Sequence, residues 1–411
     1  MKKIHHFKLG NGVQILAEPV KYVQSVAMGL SCKTGSRHEL DHEAGITHLI
    51  EHMLFKGTKN RTAKQIAEEI EGKGGVLNAF TDKELTCYYC RMLSEDIETG
   101  IDVLCDMILH PLLDSNELEK EKGVILEEIK RSEDDPSEHV HELHISNRWG
   151  EHPLGKPIIG TKESVSRFKR EDILNYMDRR YLGNNVLLSV AGHIDPHQIK
   201  ELVEKRLGPI LVGGSEENLS RPTGKKALNE IFKEIEQVHF CIGADSCSLY
   251  EMDDLYTMWV LDGILGGGMS SRLFQEIREK RGLVYAIGSY NASYSAGGAF
   301  TVYGGTNVEA WPYVQVLVRT EFDKLMQGDL QDDELEKVKK NLCGHLVLGL
   351  EGMSSRMMRM LRHQLFYHRS IPIEETLQNI NAVTKEKIVE MAQRVLHEDL
   401  ISATAIGPFK S

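Results

Sequence analysis

Residues 45–58, GITHLIEHMLFKGT, set two histidines and a glutamate inside an apolar run. On a helix turning about 100° per residue, Ile46, Leu49, Ile50, Met53 and Leu54 share one side, while His48, Glu51 and His52 crowd the other. Positions four apart stack one turn above each other, so His48 and His52 can address a single ion with Glu51 beside it as a base. The rest of the polar side, Ala44, Gly45 and Phe55, lacks the Lys, Asp or Gln of a solvated face. The imidazoles are therefore expected to lie under cover. The order H-x-x-E-H inverts the commoner H-E-x-x-H helix of zinc proteases. Histidines satisfied by neighbours on a polar helix face are the ordinary alternative.

A catalytic zinc takes three protein ligands and keeps one position open, so a further carboxylate or histidine is required. The stretch SNELEKEKGVILEEIKRS, residues 115–132, reads as a helix whose apolar stripe is Leu118, Ile125 and Ile129. Glu121 and Glu128, seven apart, project close together at the edge of that stripe, whereas Glu127 points to the far side. Glu121 and Glu128 are thus candidates for coordination and for outer-shell support. A glutamate-rich helix puts some acid near its apolar edge in any case, and that reading suffices for either one alone.

The elements that must hold these residues fall into two series. Residues 1–206 mix alternating strands (NGVQILAEPV, VAMGLSCKTG, TCYYCRML, NNVLLSVAG) with helix patterns near 42–56, 63–73, 95–110 and 115–132. The stretch 207–226, rich in Gly, Ser, Asn and Pro and without periodicity, reads as a linker. Residues 227–411 repeat the order: strands, helices near 253–265 and 270–282, further strands, and long helices near 309–326 and 332–350. A duplicated α+β unit is expected, each copy an antiparallel sheet with helices packed on one face.

Bulk properties exclude several classes. The 411 residues suit two domains, and 49 Lys plus Arg against 61 Asp plus Glu leave a net charge of −12 with no basic block to track a phosphate backbone. No stretch approaches a membrane span of about 18 apolar residues. The N-terminal MKKIHHFKLGNGVQILAEPV lacks an apolar core behind its lysines, and its GNG reads as a hairpin turn. Seven scattered cysteines suit buried thiols in a reducing compartment, so a cytoplasmic location is expected. Cys87 and Cys90 of CYYC point to opposite faces of a strand and cannot share a metal. His139, His141 and His144 of HVHELH read as a solvated helix start. The glycines 266–268 lack the rest of a dinucleotide or phosphate-loop fingerprint and read as a helix-ending turn.

With H-x-x-E-H at 48–52 and glutamates at 121 and 128, the chain resembles the pitrilysin-type inverzincin metallopeptidases. It is most similar to the short-subunit branch that includes the mitochondrial processing peptidase catalytic (beta) subunit and its bacterial homologues. Glu128 follows His52 by 76 residues and Glu121 precedes Glu128 by seven, the spacings of that family. The resemblance runs through GGVLNAFTDKELTCYY, HPLGKPIIGT, VAGHIDP and IREKRGLVY, and so over nearly the whole chain. It implies a mitochondrial processing peptidase-like metallohydrolase fold and one Zn2+ per chain on His48, His52 and Glu128, with Glu121 in support. Glu51 would take a proton from a zinc-polarised water. The strand around Asn78, Ala79, Phe80 and Thr81 would bind peptide or unfolded polypeptide, and Arg278 and Tyr285 would assist catalysis. It implies further a homodimer with composite sites enclosing a chamber, since larger relatives resemble two such chains fused. A non-catalytic structural or assembly subunit of the same fold is the competing reading. The short GILGGGMSSRLF stretch, where non-catalytic partner subunits carry a long glycine-rich loop, argues against it.

Overall fold

The computed structural model describes residues 4–214 and 220–409. Of the linker expected at 207–226, residues 215–219 lie outside the described residues, as do residues 1–3 of the N-terminal segment. Two compact units divide the chain.

In the first unit, strands β1 (His5–Lys8), β2 (Gln14–Pro19), β3 (Ser25–Cys32), β4 (Val76–Thr81), β5 (Thr86–Leu93) and β6 (Val186–Gly192) form one sheet. Their order is β1-β2-β6-β3-β5-β4, which leaves β4 at an edge. The GNG segment is the expected hairpin turn between β1 and β2. Val26, Met28, Leu30 and Cys32 of β3 point to one face and join a core with Leu49, Ile50, Met53, Val103 and Leu104. These come from helices Ile46–Leu54 and Ile97–Leu109. On the opposite face lies helix Met353–Tyr367, far along the chain. It packs so closely that a Cβ on Gly29 would stand 2.6 Å from Met357 Sδ, and Ser189 Oγ donates to the Met357 carbonyl at 2.8 Å.

In the second unit, β7 (Ala227–Phe232), β8 (Val238–Ser246), β9 (Val284–Ser293), β10 (Gly298–Thr306) and β11 (Ser402–Gly407) lie in the order β7-β11-β8-β10-β9. Phe240, Ile242 and Ala244 of β8 face a core built with Met258, Val318, Phe322 and Ala392. The other face carries helix Pro136–Trp149, whose Val140 packs on Cys241 and Ile406. Its Arg148 donates to Asp245 at 2.7 Å and to the Ser402 hydroxyl at 2.8 Å.

The two sheets match strand for strand from β2 onward, with β2, β6, β3, β5 and β4 answering to β7, β11, β8, β10 and β9. The two-domain α+β expectation holds, with two differences in detail. Both sheets are mixed, because β2 runs parallel to β6 and β7 parallel to β11. Each sheet is also covered on both faces, the second layer being a helix from the opposite part of the chain.

Candidate metal centre

The helix expected near 42–56 begins only at Ile46. Gly45 has φ of 90°, a left-handed conformation that breaks the helical path. A Cβ there would meet the Ile159 carbonyl oxygen at 2.7 Å and Gly160 Cα at 2.8 Å. From Ile46 to Leu54 the five apolar-side residues are fully buried, and His48, Glu51 and His52 line the other side at intermediate exposure. Helix Ser115–Asp134 buries Leu118, Glu121, Ile125 and Ile129, while Glu127 points outward and pairs with Lys130.

The facing edges of the two helices bring His48, His52 and Glu128 together, their ligand atoms all within 4.8 Å of one another. Glu128 Oε2 lies 3.9 Å from His48 Nε2 and 3.6 Å from His52 Nε2, and the two imidazole centroids are 4.7 Å apart. Ligands about 2.1 Å from a tetrahedral zinc stand roughly 3.4 Å apart. The two Glu128–histidine separations come within about 0.5 Å of that spacing, and the donor types are those zinc takes.

Glu121 Oε2 lies 3.1 Å from His52 Nδ1, and Lys56 Nζ, just past the end of the histidine helix, holds Glu121 Oε1 at 2.6 Å. A carboxylate at Nδ1 selects the tautomer that keeps Nε2 free for a metal. His48 differs, because its Nδ1 is buried with no hydrogen-bond partner among the described residues. Burial, reinforced by the neighbouring His52, pushes the His48 imidazole down to about 4. Glu51 is raised above the usual carboxylate range, chiefly by burial, against the opposing hydrogen bond from the Thr81 hydroxyl.

That hydroxyl belongs to β4. Asn78 is exposed on this edge strand, Ala79, Phe80 and Thr81 are half-buried, and the Phe80 and Tyr89 rings sit 6.2 Å apart. Among the described residues β4 pairs with β5 on one side only, so its other side stands at the open edge of the sheet.

Arg278 and Tyr285 lie in the second unit. Helix 270–282 of the sequence reading is in fact a π-helical turn, Phe274–Glu279. Arg278 Nε donates to the Tyr285 carbonyl at 2.7 Å, and its guanidinium lies 4.6 Å above the Phe274 ring. The Tyr285 side chain is open to solvent.

The HVHELH histidines differ from a solvated helix start. They ride helix Pro136–Trp149, where His144 is buried and His141 Nδ1 lies 2.9 Å from Tyr290 OH. Among the described residues they are not part of any metal-capable cluster. Cys87 and Cys90 are buried free thiols on opposite faces of β5, and burial pushes Cys90 up to about 12. Glycines 266–268 follow helix Met252–Leu265, with Gly266 N–H bonded to the Asp262 carbonyl at 2.9 Å. Lys56 and the Thr81 hydroxyl are not apparent from motif spacing, because Lys56 lies past the end of the histidine helix and Thr81 on a separate strand.

Comparison with known proteins agrees with this geometry. Residues 14–162 match the family described as "Insulinase (Peptidase family M16)", and residues 167–342 match "Peptidase M16 inactive domain". An "Uncharacterized zinc protease YmxG" of Bacillus subtilis is 39% identical over 396 residues, covering 96% of each chain. An "Uncharacterized zinc protease" of Rickettsia felis is 37% identical over 98% of this chain and 97% of its own. The chain belongs to peptidase family M16. The crystal structure of a protease from Helicobacter pylori shares the fold, with a TM-score of 0.91 over 99% of this chain and 100% of that one, at 22% identity. No helix among the described residues is long and apolar enough to cross a membrane.

Proposed function

We propose that this chain is a zinc-dependent endopeptidase, with one Zn2+ per chain, that cuts unstructured peptides or precursor segments. The observation that carries this reading is the His48–His52–Glu128 cluster, with Glu51 on the same helix and hydrogen-bonded to the open edge strand β4. His48 and His52 through Nε2, and Glu128 through a carboxylate oxygen, would hold the ion, with Glu121 fixing the His52 tautomer. The ion, when bound, supplies Lewis acidity toward water and the scissile carbonyl. Glu51 takes a proton from the attacking water and delivers it to the departing amine. Its raised affinity for a proton suits both transfers. An extended peptide adds to β4 along Asn78, Ala79, Phe80 and Thr81 through main-chain hydrogen bonds, which read backbone more than side chain.

The test is zinc content together with cleavage of a generic unstructured peptide. About one zinc per chain is expected, with cleavage lost to a chelator and restored by zinc; Glu51→Gln keeps the zinc and loses the cleavage. The description of residues 167–342 as an inactive domain favours a second reading, a non-catalytic structural or assembly subunit. Wild-type protein that loads zinc yet cleaves nothing would select it.

We propose further that the chain works in the cytoplasm as a homodimer, in which Arg278 and Tyr285 of one copy serve the zinc of the other. Arg278 would grip a substrate carbonyl and the Tyr285 hydroxyl would donate to the oxyanion. The 82% exposure of Tyr285 supports a role completed by something outside its own unit, and free buried cysteines support a reducing compartment. Mixing Glu51→Gln with Tyr285→Phe protein under subunit exchange should restore activity toward half of wild type in the mixed dimer. No recovery despite proven exchange would defeat the shared site.

A further inference from the structure

The helix that presents His48, Glu51 and His52 starts without a capping side chain of its own. Its N-cap is Gly45, held in a left-handed conformation against Ile159 and Gly160, where no side chain fits. The first four N–H groups of a helix lack partners within it, and a Ser, Thr, Asp or Asn at the N-cap ordinarily supplies the acceptor. Here the acceptor comes from outside the helix. Glu39 is buried at 8% exposure, and its Oε2 accepts from the Gly45 N–H at 2.8 Å. Its Oε1 accepts from the Thr47 N–H at 2.8 Å and from the Thr47 hydroxyl at 2.7 Å. The Thr47 hydroxyl also lies 3.1 Å from Tyr176 OH, which stands 2.8 Å from Thr34 Oγ1, and Arg180 Nε donates to that oxygen at 3.2 Å. A carboxylate at this position also meets the positive end of the helix dipole.

The two histidines are held in different ways. His52 is oriented through its ring, because Nδ1 faces Glu121. Among the described residues His48 has no such partner at Nδ1, and it sits in the first helical turn, directly after Thr47. Its aim therefore depends on the backbone of that turn, and Glu39 is what holds that backbone. We propose that Glu39 is a positioning residue of the metal centre, fixing the first turn of the helix through Gly45 and Thr47 so that His48 and Glu51 stay aimed at a common point. This inference rests on the zinc peptidase reading.

Glu39→Gln tests it. The substitution keeps size but turns an amide NH2 toward N–H donors, so the first turn loses part of its anchor. The zinc dissociation constant, measured by chelator competition, should rise about tenfold, and kcat should fall about tenfold with KM unchanged. A purely structural role would lower Tm and leave zinc affinity and kcat intact below it. Thr47→Val removes only the hydroxyl and should weaken zinc binding about threefold; it decides the matter if Glu39→Gln does not fold. Unchanged zinc affinity in the folded variants, beside wild-type protein that binds zinc, overturns this inference alone. Wild-type protein that binds no zinc overturns the peptidase reading and this inference with it.

Discussion

The hydroxyl of Thr81 donates to Glu51 Oε2, so the edge strand β4 and the histidine helix meet at one carboxylate. A peptide that pairs with β4 would then dock on the same strand that steadies the proposed base. Thr81→Val keeps the shape and removes the donor. Hydrogen bonds to charged groups contribute about 1.5–3 kcal/mol, so kcat should fall at least about tenfold while zinc content stays at the wild-type level. Steady-state kinetics beside metal analysis checks this, and an unchanged kcat would show that the bond does not matter to turnover.

Glu127 and Glu128 are neighbours in sequence and opposites in space. Glu128 faces both imidazoles, while Glu127 is exposed and pairs with Lys130. Glu128→Gln should lose bound zinc on dialysis and Glu127→Gln should keep it. Equal loss in both would contradict Glu128 as a ligand.

Glu121 joins His52 to Lys56. Glu121→Gln should cost about 10–100-fold in zinc affinity or activity, the range for residues that orient a ligand. Lys56→Met should have a smaller effect in the same direction, because it frees Glu121 without removing it. Chelator competition on both proteins ranks them, and the reverse order would sink this account of the pair.

Asp262, in the second unit, gives a pH dependence separate from the metal. Burial raises its carboxyl from the usual 3.8 to about 6, against the opposing hydrogen bond from the Ser289 hydroxyl. Because the folded value lies above the unfolded one, the group favours folding below pH 3.8, and that contribution is lost as pH rises through about 6. Its full size is of order 3 kcal/mol. Asp262→Asn should flatten the fall in Tm of chelated protein between about pH 4 and 6 relative to wild type. Parallel Tm curves for the two proteins would count against the raised value.

Much of the candidate metal site was legible because it depends on helical periodicity, which is a local property. The 3.6-residue repeat alone sorts His48, Glu51 and His52 from Ile46, Leu49 and Ile50, and Glu128 from Glu127. The duplicated element order likewise reflects local alternation, and the sheets match accordingly. Parallel pairing of β2 with β6 was not legible, since those strands are separated by more than half of the first unit and nothing in either one marks its neighbour. His144 looked solvated because helix Pro136–Trp149 has a weak apolar stripe, yet that helix is buried against β8 and β11 by Arg148 and Trp149 as much as by Val140. Glu39 escaped notice for a related reason, since its partners lie past an irregular turn whose path no periodicity describes.

The helical layer that each half of the sequence lends to the other's sheet bears on how the chain is made. β1 to β6 are all translated before residue 193, but the helix that closes over Gly29 and Ser189 starts only at Met353. During synthesis one face of the first sheet therefore waits, uncovered, for most of the second half to leave the ribosome. A nick in the 207–226 stretch cannot yield two self-sufficient domains, because each fragment would retain a helix that belongs to the other's sheet. The two halves are committed to maturing as one polypeptide.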